Sequence, residues 1–274
     1  MGGGAPAPSR SSHSRAAPCS GAPWGRAGAA RAPERCALSP PPFHSRPAAA
    51  GTLRASPRSA LPPDPAALAA AAAPSATLGQ GELGMAVRAP PGACEDEWVA
   101  RHAVDFLDAA SLLAAAVSQW CTRTACPTMC AGPATTYLWA PPPPPGAAAP
   151  SRGPRPAKLP APDYCASLFT WADALLADPA ALPQARDAPF PPAFRAAVAP
   201  LFKRLARVFA HLYHAHFAHV EAIGAVPHLN TVFKHFVAFG RAHALVPERE
   251  LDPVRELVDA LLPPGAGGGG GGGG

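Results

Sequence analysis

Two paired-donor spacings constrain this chain more than any other feature: Cys121-x4-Cys126 and, eighty-five residues later, His211-x4-His216. Two thiolates and two imidazoles complete the tetrahedral shell of one zinc ion and would tie two distant segments into one fold. A shell filled in that way leaves no coordination position for a substrate, so the metal would be scaffolding. The spacing alone is not decisive. Cys-x4-Cys is looser than Cys-x2-Cys, and the second half is crowded with His211, His214, His216 and His219. A buried thiol pair and a solvated histidine face on one helix fit the same letters. Helix geometry pairs His211 with His214, because five residues turn through about 500° and leave one face.

The composition divides the chain into unlike parts. Residues 1–88 are dominated by Ala, Pro, Gly, Ser and Arg, with nine Arg against three acids, Glu34, Asp64 and Glu82. Too few large apolar groups are present there to offset the ordering entropy, so a disordered tail is expected. Gly267–Gly274 ends the chain as a second, glycine-rich tail, 263–274. Residues 89–262 carry 14 basic and 15 acidic side chains, so the overall charge of +5 belongs to the tail. A folded part with no basic excess argues against nucleic-acid binding. It is long enough for a sizeable core.

Seven scattered cysteines, an odd number, point to a reducing intracellular setting. We expect a cytoplasmic protein, with the nucleus open as a second location. No apolar run is long enough to span a membrane. Pro6 stands where a myristoylation motif needs Ser or Thr. The Arg- and Ser-rich, acid-poor start is compatible with an organellar transit peptide, and Met85 with an internal start site.

The folded part reads as all-α. From Trp98 a long helix is expected, with Ala103, Phe106, Leu107, Ala110, Leu113, Ala114 and Val117 on one stripe, behind acids at Glu95, Asp96 and Glu97. Cys126-Pro127 and Gly132-Pro133 break it, and Thr135–Trp139 has the composition of a short strand, giving a β hairpin at most. A proline-rich loop occupies 140–158. Further helices are expected at 163–177, 191–222, 228–244 and 250–262, punctuated by Pro183, Pro189, Gly224, Pro227 and Pro247. The sum is a single helical bundle.

Blocks in this region, in order, resemble the Mob family of kinase-activating adaptors. They include Glu97-Trp98-Val99-Ala100, Val104-Asp105-Phe106, Cys121-Thr122 to Cys126-Pro127-Thr128-Met129 and Ala131-Gly132-Pro133. Ala161-Pro162-Asp163-Tyr164, Pro189-Phe190-Pro191, Lys203-Arg204-Leu205-Ala206-Arg207, His211-Leu212-Tyr213-His214-Ala215-His216 and His228-Leu229-Asn230-Thr231 follow. The details mix traits of the first and third Mob classes. The resemblance implies a compact Mob-like bundle over 89–262 with a structural zinc on Cys121, Cys126, His211 and His216. Cys130 and His214 are the nearest alternative ligands.

Two further sites are implied by the same resemblance. Lys203, Arg204 and Arg207, one turn before His211, would bind the phosphate of a phosphorylated upstream, MST-type kinase, through planar donor forks and a point charge. A solvated basic turn is the plainer reading of the same residues. Glu97, Asp105 and Asp108 lie near one side of the first long helix. In the family such an acidic surface receives a basic N-terminal segment of NDR- or LATS-type kinases; an ordinary solvated acidic face is the alternative. Alanines around 109–116 and at Ala206 replace larger family side chains, which implies looser packing.

The function expected is therefore a non-catalytic kinase adaptor of the Hippo type. One alternative is a Mob-fold scaffold that has lost kinase activation. Another is a zinc hydrolase, disfavoured because no carboxylate accompanies the histidines as in His-Glu-x2-His. No glycine-rich phosphate loop or kinase motif is present.

Overall fold

The computed structural model describes residues 83–141, 155–185 and 188–262, and among these it has seven α-helices and two very short ladders. The expected tail up to residue 82, residues 142–154 of the proline-rich loop and the glycine-rich end from 263 lie outside the described residues.

Part of the segment assigned to the tail by composition is helical: α1 spans Leu83–Val87 and buries Val87. Its last carbonyls, which have no partner within so short a helix, are met by side chains. Trp98 Nε1–H and His243 Nε2–H donate to the Val87 oxygen at 3.2 and 3.0 Å, and His235 Nε2–H to Ala86 at 3.2 Å. Composition failed there because α1 is held by the rest of the fold and not by its own side chains.

The long stripe forms α2, Glu95–Ala116, three residues ahead of Trp98. Glu95, Asp96 and Glu97 occupy its first turn, where the helix dipole favours negative charge. Val99, His102, Ala103, Phe106, Leu107, Ala110 and Leu113 are its buried side. Beyond Ala116 the chain tightens into turns, with Cys121 N–H donating to the Val117 oxygen at 2.9 Å.

The expected strand over Thr135–Trp139 is divided. β1 (Cys130–Ala131) pairs antiparallel with β2 (Thr135–Thr136), and β3 (Leu138–Trp139) with β4 (Ala157–Lys158). Tyr137 sits between the two ladders, its N–H bonded to Met129 at 2.8 Å. Gly132, at φ +70°, makes the β1–β2 turn in a conformation that other residues rarely adopt.

Helix α3, Ala161–Ala177, leads to the central element α4, Phe194–Ala222. At 29 residues α4 is about 44 Å long. It contacts α2, α3, β1 and the helix that follows it. Gly224, at φ +70°, stops it: Gly224 N–H returns to Glu221 and Ala225 N–H to Val220, both at 2.9 Å. Then come α5, Val226–Ala242, and a C-terminal end in three pieces: α6 (Glu248–Leu251), a 3-10 turn (Asp252–Val254) and α7 (Arg255–Leu261). The single helix expected at 250–262 is broken at Pro253, which has no N–H for the ladder and crowds the preceding turn.

Aromatic side chains fill the space between α2, α4 and α5. Phe106 meets Phe202, Phe236 and Phe239 at ring-centroid distances of 6.0, 5.3 and 5.6 Å, and Phe209 meets Phe236 at 5.0 Å. Ala103, Ala110 and Ala206 are fully buried as well. Tyr213 keeps its hydroxyl satisfied by donating to Asn230 Oδ1 at 2.9 Å inside the core.

Candidate metal centre and flanking charged surfaces

One end of the donor set comes from α4 and the other from the turn that follows α2. Thr122 closes that turn, its carbonyl accepting from Cys126 N–H at 2.8 Å and its hydroxyl from Ala125 N–H at 3.1 Å. This presents Cys121 and Cys126 towards α4. There Cys121 Sγ lies 3.6 Å from His211 Nε2, and Cys126 Sγ 3.4 Å from His216 Nε2. All four donor atoms fall within 4.8 Å of one another, and Cys126, His211 and His216 are buried.

These distances suit a bound metal. With metal–sulfur bonds near 2.3 Å and metal–nitrogen bonds near 2.05 Å, the S···N edge of a tetrahedron is about 3.6 Å. The two separations, 3.6 and 3.4 Å, equal that value or fall just short of it, so the four side chains could hold a metal ion with little rearrangement. His211 is also oriented from behind, its Nδ1–H donating to the Cys130 carbonyl at 2.8 Å. Such a bond fixes the tautomer that leaves Nε2 free to ligate. Behind His216, its Nδ1 lies 3.4 Å from His219 Nδ1, and His219 stacks on Trp120 at 4.7 Å.

The proton balance of the cluster has the same sense. The hydrogen bond with Cys121, helped by those to His211 and His216, holds the Cys126 thiol well below its ordinary value although burial opposes it. That same bond and burial push Cys121 up. At His211 burial disfavours the charged form, but hydrogen bonds to Cys126 and Cys130 outweigh it and raise the imidazole to about 9. A metal must therefore displace protons from this pocket, and its affinity weakens as pH is lowered.

The pairing of His211 with His214 on one helix face is not what the fold uses. His214 turns away, Nε2–H donating to the Pro253 carbonyl at 2.7 Å, with its ring against Gly132. His211 and His216 reach round α4 from either side until their rings stand 5.1 Å apart. Cys130 supplies its backbone oxygen and is not among the four donors.

The basic turn of α4 is engaged internally. Glu250, buried on α6, bonds Arg207 Nε at 2.9 Å and lies 3.1 Å from Lys203 Nζ. Arg207 also donates to Tyr164 Oη at 3.3 Å and sits 5.1 Å over the Tyr137 ring. Arg204 points elsewhere: it donates to the Ala140 and Pro200 carbonyls at 2.8 and 3.1 Å and packs over Trp139 and Trp171. The fold thus brings Lys203 and Arg207 together and sets Arg204 to one side. The sequence reading missed Glu250, which lies forty-three residues from Arg207 and has no spacing relation to the basic turn.

On α2, Glu97, Asp105 and Asp108 are all exposed. Arg101 pairs with Asp105 at 3.6 Å. Glu95 and Asp96 instead hold Arg195 of α4, at 3.4 and 2.5 Å. Val104 and Leu112 stand exposed on the same outer side, Leu112 at 73%. These apolar positions were not singled out in the sequence. Their separation of eight residues, two helical turns, was the available signal.

The Mob1/phocein family model matches residues 75–254, which holds the metal-ligand cluster and both charged surfaces. This chain belongs to the Mob1/phocein family. Among its relatives, an Arabidopsis thaliana protein described as MOB kinase activator-like 1A is 40% identical over 189 residues, covering 69% of this chain and 84% of its own. MOB kinase activator-like 1B of Medicago sativa subsp. falcata is 41% identical over 187 residues, 68% of this chain and 83% of its own. MOB kinase activator-like 1 homolog A of Dictyostelium discoideum is 39% identical over 187 residues, 68% and 84% respectively. Among the described residues of this Mob protein, no helix is long and apolar enough to cross a membrane.

Proposed function

We propose that this Mob protein is a non-catalytic adaptor that activates a protein kinase by docking a basic N-terminal helical segment of an NDR- or LATS-type enzyme on α2. The observation that carries this reading is the outer side of α2: exposed Glu97, Asp105 and Asp108 interleaved with exposed Val104 and Leu112. An amphipathic basic helix matches both components, apolar contacts supplying adhesion and opposite charge supplying rate and selectivity. Relatives bearing the description of kinase activators support the same role. The metal on Cys121, Cys126, His211 and His216 is zinc in this reading, since a buried S2N2 tetrahedron is its usual structural environment. With four protein donors it holds the α2–β1 turn against α4 and offers substrate no open position. Lys203 and Arg207, with Arg204 nearby, receive a phosphorylated segment of an upstream MST-type kinase. We place the protein in the cytoplasm and nucleus, in Hippo-type signalling.

The test is a pull-down and activity assay with the full chain and an NDR- or LATS-type kinase. Reversing Glu97 and Asp105 to Lys should weaken capture at low salt and reduce stimulation while metal content is unchanged. Capture that the reversal leaves intact, or no capture by the wild type, removes the docking role.

The second reading is a Mob scaffold without phosphate recognition. It is favoured by one observation, that Glu250 already neutralises part of the Lys203–Arg207 charge.

A further inference from the structure

We propose that Glu250 is a resident counter-anion for Lys203 and Arg207 that sets how tightly this site takes a phosphate, restraining binding until an incoming phosphate displaces it. The inference rests on the phosphate-binding reading above.

The geometry has three parts. First, the carboxylate spans both cations: Oε1 lies 3.1 Å from Lys203 Nζ, and Oε2 2.9 Å from Arg207 Nε, with Arg207 Nη2 donating to Oε1 at 3.4 Å. These are the donor positions that a phosphate oxygen would use. Second, Glu250 is buried, on a segment held in the core. The residues after it, Leu251 and Val254, are 2% and 4% exposed and anchor the segment. The carboxylate must therefore rotate aside or remain next to the phosphate. Either outcome weakens binding, because a phosphorylated side chain brings close to two negative charges into the same pocket. Third, the surroundings can accept an anion. A cleft whose lining includes Thr136, Tyr137, Arg207, Arg249, Glu250 and Asp252 opens beside Arg207, and Asp252 on its rim is paired with Arg255. The Tyr137 hydroxyl is buried there with no hydrogen-bond partner among the described residues, and its ring lies under the Arg207 guanidinium. A buried, unsatisfied donor beside a cation is ready to bind an oxyanion.

The discriminating substitution is Glu250→Gln, which keeps the shape and an acceptor for Arg207 but removes the charge. Full-length wild type and variant are titrated against a degenerate phosphothreonine peptide library and its unphosphorylated twin, with melting temperature and metal content recorded. We expect the variant to bind the phosphorylated library at least tenfold more tightly, about 1.4 kcal/mol, with the unphosphorylated library unchanged. Binding by the variant where wild type shows none supports the counter-anion and removes phosphate binding by the resting protein. If wild type binds and the variant binds equally or more weakly, Glu250 only orients Arg207 and the proposal is overturned, while the phosphate reading stands. No phosphate-dependent binding by either chain overturns both. Should Glu250→Gln fail to fold, Glu250→Ser, which also removes the charge and leaves a small polar group, is read by the same criteria.

Discussion

Stripping the metal should destabilise the protein without dissolving its core, and the size of the loss can be estimated. The four donors join the turn after α2 to the middle of α4, with S···N separations of 3.6 and 3.4 Å. A ligand bound only by the folded state, at a thousand times its Kd, stabilises by about 4 kcal/mol. For a domain of this size each kcal/mol corresponds to roughly 2–4 °C in Tm. Chelation should thus lower Tm by roughly 8–16 °C, and Cys126→Ser should give the same drop with metal content falling from about one equivalent per chain. Complete unfolding is not expected. The aromatic cluster of Phe106, Phe202, Phe236 and Phe239 lies between α2, α4 and α5 and needs no ligand. Cys130→Ser and His214→Gln are the controls, since neither supplies a donor, and both should retain metal. Calorimetry with and without chelator, alongside elemental analysis, reads all of this. A chelator-insensitive Tm, or full metal content in Cys126→Ser, would refute the clamp; metal loss in Cys130→Ser would reassign the ligand set.

Gly132→Ala should cost about 1–2 kcal/mol from its positive φ, with further loss because its Cβ would stand 3.2 Å from His214 Nδ1. An unchanged Tm in that variant would show that the turn relaxes. Acid should selectively remove the Glu250 contribution. Although burial alone disfavours its charged form, hydrogen bonds and charge from Arg207 and Lys203 hold its pKa below the ordinary value. A depressed carboxylate stabilises the fold above its unfolded pKa, about 4.3, and that stabilisation disappears as pH falls through the lower folded value. Wild type should therefore be more stable than Glu250→Gln at neutral pH, and the two denaturation curves should converge in acid; a constant gap down to low pH would contradict the linkage.

Much of the architecture was legible because it depends on local periodicity. The three- and four-residue spacing from Ala103 to Val117 locates α2, Gly224 ends α4, and Pro227 opens α5, where only its missing N–H is tolerated without loss. The four candidate metal donors that the fold brings together were available through their resemblance to a family pattern. Helix geometry alone pointed to His214, since it treats side chains as directions from an axis and ignores how far an imidazole reaches round it. Tertiary structure decided the rest. It docked α1 through carbonyls received by Trp98, His235 and His243, and it split Thr135–Trp139 between two partners that no pairing preference within five residues could choose. It also carried Glu250 across forty-three residues of sequence to neutralise Arg207 and Lys203. Periodicity records which side of an element is apolar. Which charges meet across elements depends on how the helices pack, and that is settled only when the core between them closes.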